Sequence, residues 1–212
     1  MNQDSFDNGE RLVPRLLTRA WKRRDQLALE YFSLQAAHSH IFLTGQISAV
    51  TEGRPCFLNY AVICSADWVT REAVVSLSAG GAHTSAKLVR TSQGDWQVNG
   101  SDRLDLAGAT DIDIQWTPAT NTPPVKRMQL EVGESRQVDA AWVRIPELTI
   151  ERLVQVYTRT ARDIYRYESG GGSFVADLKV DAEGFVDLYG DLWTCVGKDD
   201  AASWQAGERS RD

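Results

Sequence analysis

Residues 56–64 read CFLNYAVIC. Cys56, Leu58, Tyr60, Val62 and Cys64 alternate with Phe57, Asn59, Ala61 and Ile63, and a period of two is the mark of a half-buried β-strand. The period recurs along the chain. Ile112, Ile114 and Trp116 alternate with Asp111, Asp113 and Gln115. Met128, Leu130 and Val132 alternate with Arg127, Gln129 and Glu131. Phe174, Ala176, Leu178 and Val180 alternate with Val175, Asp177 and Lys179. Turn-forming clusters separate the runs at 52–55, 80–81, 93–95, 99–102, 133–134, 170–172 and 183–184. About a dozen short strands at this spacing predict a sandwich or barrel. Residues 149–168 fit a helix through Leu153, Tyr157, Ala161, Ile164 and Tyr165, or a strand through Leu153, Gln155, Tyr157, Arg159 and Ala161. Their Thr, Val and Tyr content favours the strand.

A faint echo links the two halves. Residues 86–100 (AKLVRTSQGDWQVNG) and 176–190 (ADLKVDAEGFVDLYG) match at Ala86/Ala176, Leu88/Leu178, Gly94/Gly184 and Gly100/Gly190. Each reads as strand, glycine turn, strand and closing glycine, as a duplicated antiparallel sheet would.

The chain has 212 residues, 42% of them hydrophobic and 25% charged, enough for a packed core and compatible with one domain. A net charge of −6 argues against nucleic acid as a partner, because phosphate binding needs a basic surface. The first ten residues, MNQDSFDNGE, lack the apolar stretch of a secretory signal, so a cytoplasmic location is expected. Cys56, Cys64 and Cys195 are too few for a disulfide scaffold. On one strand, Cys56 and Cys64 would stand about 26 Å apart, beyond bridging reach.

Residues 11–24 (RLVPRLLTRAWKRR) carry six basic residues and no acid. Removing those six from the 23 basic residues leaves 17 against 29 acidic ones, a balance of −12 elsewhere. Val13, Leu16, Leu17, Ala20 and Trp21 recur at helical spacing, with Arg11, Arg15 and Arg19 on one face, so a basic amphipathic helix is predicted. It would touch a membrane periphery, dock a protein partner, or cap the domain by pairing with its acidic body. The expected layout is a leader and helix start at 1–20, a β domain at 21–197 and a polar tail at 198–212.

Catalytic signatures are absent from the sequence. It contains no GxSxG and no HExxH, and its histidines are His38, His40 and His83. No third ligand accompanies His38 and His40, so neither metal nor cofactor is expected. Residues 111–127, DIDIQWTPATNTPPVKR, stand out. They read as a strand bearing Asp111 and Asp113, a stiff loop with three prolines among Thr117, Thr120, Asn121 and Thr122, and a second strand opening at Lys126 and Arg127. Arg127 is expected either to pair with Asp113 or to hold a phosphate or sugar hydroxyl. The alternative is a structural corner whose Thr and Asn bond their own backbone.

This stretch, extended to residue 130 (DIDIQWTPATNTPPVKRMQL), is accompanied by residues 155–159 and by Val180, Asp181, Gly184, Phe185, Val186 and Tyr189. Trp21, Glu30, Tyr31, Phe32, Gly45, Tyr60, residues 67–71 and residues 94–96 precede it in order. Together they resemble the bacterial family described as putative glycolipid-binding proteins, from about Trp21 to Trp193. Ala119 and Pro123 stand where the family pattern has an aromatic residue and a leucine. The resemblance implies an all-β fold: a strongly curved antiparallel sheet, barrel-like, with internal duplication and similar to periplasmic lipoprotein carriers. It implies non-catalytic binding of a glycolipid or other amphiphile inside that sheet. The polar site would comprise Arg71, Asp111, Asp113, Thr117, Asn121, Thr122, Arg127, Gln155 and Tyr157. A second reading is an enzyme that processes a carbohydrate or lipid conjugate through a carboxylate pair, with Asp111 or Asp113 as one member.

Overall fold

The computed structural model describes residues 15–37 and 39–200. The readings placed on Arg11, His38 and the end of the tail lie outside these residues. The described residues form one fifteen-stranded sheet. Strands β1 (Arg15–Arg23), β2 (Ala28–Ala36), β3 (His40–Thr51), β4 (Arg54–Ser65), β5 (Thr70–Ala79), β6 (Ala82–Arg90), β7 (Trp96–Val98) and β8 (Ser101–Asp102) follow one another as an antiparallel meander. The second half holds β9 (Asp111–Ile114), β10 (Ser135–Arg144), β11 (Thr149–Ala161), β12 (Ile164–Ser169), β13 (Phe174–Val180), β14 (Val186–Tyr189) and β15 (Trp193–Asp199). Antiparallel pairing of β1 with β15 joins the halves, with Thr18 opposite Asp199 and Arg23 opposite Trp193.

The sheet is not closed. Its edges are β8 and β9, and the β9–β10 pair is parallel, so the sheet is mixed rather than purely antiparallel. The two halves also meet where the Thr70 N–H donates to the Thr110 carbonyl at 3.1 Å. In the first half Trp21, Phe32, Leu43, Ile47 and Leu58 are completely buried in a continuous core. A second core gathers Tyr157, Tyr165, Tyr167, Leu178 and Val186 in the other half.

Most strands follow the sequence pattern. In β4 the inward residues are Cys56, Leu58, Tyr60, Val62 and Cys64, and all three cysteines are free. Residues 149–168 form β11 and most of β12. Both hairpins of the internal echo are present, as β6–β7 and β13–β14. Their turn glycines Gly94 and Gly184 take φ of +95° and +80°, a backbone region that side chains disfavour.

Two elements differ from expectation. The described part of the basic block is strand β1, not a helix. Its inward residues are Leu17, Arg19 and Trp21, and Leu16 is exposed. A four-residue spacing puts arginines on one face in a strand as well as in a helix, and pairing with β2 and β15 selects the strand. The strand predicted from Lys126 is the end of helix α1 (Thr122–Met128). Pro123 and Pro124 occupy its first turn, where no backbone donor is required and a fixed φ suits the helix. Lys126 and Arg127 lie in its last turn, beside the negative end of the helix dipole.

Candidate functional site

A cleft of about 460 Å³ opens where β9, β10, β12, β13 and β15 end or begin. Trp142, Tyr167, Phe174, Tyr189 and Trp193 supply aromatic walls, and Arg23, Asp113, Gln115, Thr117, Ser169 and Ser173 supply polar groups. The ring centroids of Tyr167 and Phe174 are 5.9 Å apart, those of Tyr167 and Tyr189 are 6.0 Å apart, and all meet edge to face. Arg23 lies 5.6 Å above the Trp193 ring, and Asp25 holds its guanidinium at 2.7 Å. One rim is the turn of Gly170, Gly171 and Gly172, with φ of +58°, +67° and +88°. Three successive left-handed residues take the chain from β12 to β13, and Gly170 and Ser173 of this turn line the opening.

Asp113 is the one carboxylate among the described residues that line the cleft. Its Oδ2 accepts hydrogen bonds from Gln155 Nε2 at 2.5 Å and from the Tyr167 hydroxyl at 3.3 Å. Burial pushes its pKa up to about 6, against the opposing effect of those two donors. Gln155 is itself buried, and the Tyr157 hydroxyl stands 3.5 Å from its Oε1 while donating to Asn121 at 2.9 Å.

Thr117 leads inward from the cleft to a second carboxyl. Its hydroxyl donates to Glu30 Oε1 at 2.7 Å and accepts from the Ala119 N–H at 3.0 Å. Tyr60 also donates to Glu30 Oε1, at 2.5 Å. Tyr60 reaches Glu30 by lying beneath Gly45, where a Cβ would sit 2.2 Å from its ring. Glu30 is completely buried, with no cation beside it among the described residues, and burial raises its pKa to about 8, which favours the neutral acid at pH 7.

The nine residues anticipated from the sequence separate into three groups. Asp113 and Thr117 line the cleft, with Gln155, Tyr157 and Asn121 in the layer behind. Thr122 is buried at the start of α1. Asp111, Arg127 and Arg71 lie away from the cleft. Arg127 pairs with Asp111, not Asp113, through bonds of 2.7 and 2.5 Å, and also donates to the Trp68 carbonyl at 3.1 Å. It thereby fastens α1 to β9 and to the turn before β5. Arg71 faces the same region, close enough to Asp67 and Arg90 for their charges to interact. The aromatic walls were not singled out. The alternating Tyr165 and Tyr167, and the triple glycine beside Phe174, are the signals that point to them.

A family model described as Putative glycolipid-binding matches residues 18–195. Among solved structures, a DUF1089 family protein from Pseudomonas aeruginosa is 32% identical, with a TM-score of 0.70 over 78% of this chain and 91% of that one. No curated protein matches the chain.

Proposed function

The chain belongs to the Putative glycolipid-binding family, and from that premise we propose that it binds an amphiphile by seating a sugar-like headgroup in the aromatic cleft. The observation that carries this reading is Asp113, half-buried against Gln155 and Tyr167 and faced by Trp142, Phe174 and Tyr189. A carboxylate orients hydroxyls, and flat aromatic faces cover the C–H faces of a sugar ring. The cleft has room for a headgroup but not for two acyl chains as well. One cleft carboxylate, with Asp111 already committed to Arg127, supports binding over hydrolysis, which ordinarily requires two placed carboxyls.

Native mass spectrometry with a bacterial glycolipid extract tests the proposal. Wild-type protein should retain a glycolipid, and Trp142→Ala should weaken retention about 3–10-fold, the value of one aromatic contact. Protein that takes up nothing from the extract, or takes up the same lipid equally well as Trp142→Ala, would refute it.

A further inference from the structure

A second opening lies across the β1–β2 turn from the cleft residue Arg23. Lys22 stands opposite Leu29 in the β1–β2 pair, and one step further Arg23 and Ala28 flank the turn between these strands. Arg23 lines the cleft, and Ala28 lines a groove of about 510 Å³. Leu27, Leu29, Val50, Pro55, Cys56 and Phe57 supply most of the groove, and no charged residue lines it among the described residues. Leu27 is 72% exposed and Leu29 54%, so the groove presents aliphatic side chains directly to solvent.

We propose that this groove seats the alkyl chain of the same amphiphile, the molecule crossing the β1–β2 rim beside Arg23. The inference rests on the headgroup reading of the cleft. Three observations select an alkyl chain as the occupant. Phe32, Leu43, Ile47 and Leu58 pack together in the first-half core, whereas the groove lies open at the surface. Ala28 of the groove and Arg23 of the cleft stand at the two ends of the β1–β2 turn. Its lining offers hydroxyls only from Ser48 and Ser78.

The test uses n-alkyl β-D-glucosides from hexyl to dodecyl, each with a photoreactive diazirine at the chain tip, mixed with the full chain below their micelle concentrations. Irradiation should attach the longer tips to residues 27–29, 48–50 or 55–57. Affinity should rise about fourfold per added methylene until the groove is full. In the double variant Leu29→Asn/Phe57→Ser, whose changes fall on exposed positions, the rise should drop below about twofold per methylene at unchanged circular dichroism. Tips that attach only within the cleft, no attachment at all, or a chain-length series unaltered in the double variant would each overturn the groove. Groove labelling that persists undiminished in Trp142→Ala would leave the alkyl seat standing and sink the headgroup reading. Binding of the protein to phosphatidylglycerol vesicles, lost in the double variant but without labelling by monomeric glucosides, would assign the patch to a membrane surface and overturn the alkyl seat.

Discussion

Glu30 sits on a strand whose other inward residues are Ala28, Phe32 and Leu34, and its carboxyl is met there by Tyr60 and Thr117. Its raised pKa fixes the sign of a pH effect. The folded chain holds this proton more tightly than the unfolded one between pH 4.5 and about 8. The associated stability is therefore full below that window and lost as pH rises through it. Thermal melts of Glu30→Gln should lose this slope and exceed wild type above pH 8, by on the order of a few kcal/mol. A variant with an unchanged pH profile would show that Glu30 ionises freely. Gly45→Ala should cost on the order of 1–3 kcal/mol, because its methyl displaces the Tyr60 ring from Glu30. Urea titration measures that loss. Glu30, Gly45 and Tyr60 all belong to the segments that carry the family resemblance. Their convergence with Thr117 is not legible, because it joins strands distant along the chain.

Among the elements, the alternating runs of β4 and β13 were readable because one face of each is wet and the other is dry. The β1 and α1 readings failed for identifiable reasons. In β1 the side chains fit both periods, and a charged residue, Arg19, points into the protein. Arg19 is buried between Phe185, whose ring centroid is 4.6 Å from its guanidinium, and Asp181 at 3.0 Å, and it also bonds Asp200. A strand with an inward arginine hides its apolar face from pattern reading. Arg19→Ala removes a completely buried side chain together with its stacking on Phe185, so it should destabilise by about 3 kcal/mol. In a melt that is a fall of roughly 6–12 °C. A fall of under about 2 °C would place Arg19 among ordinary surface arginines. In α1 the prolines read as a stiff loop, although the first turn of a helix accommodates them.

For the molecule as a whole, strand pairing along each half follows sequence order and was legible as a chain of hairpins. The join of β1 to β15, the parallel seat of β9 and the open edges were not, since no local pattern encodes a partner so far away in sequence. That join makes the halves share β1, so they should unfold as one unit. Native-state hydrogen exchange should therefore give the slowest amides of β4 and β11 the same opening free energy, within about 0.5 kcal/mol. Two well-separated ceilings would mean that each half folds by itself.

The late partner of β1 bears on how the chain is made. The β1–β2 hairpin is complete by Ala36, yet β1 gains its second neighbour only once residues 193–199 have been synthesised. At ribosomal speeds of about 5–20 residues per second, roughly 160 further residues take on the order of 10–30 s. Throughout that interval the nascent protein carries a bare edge that other strands can join, so this one seam is where crowding during translation would do its damage.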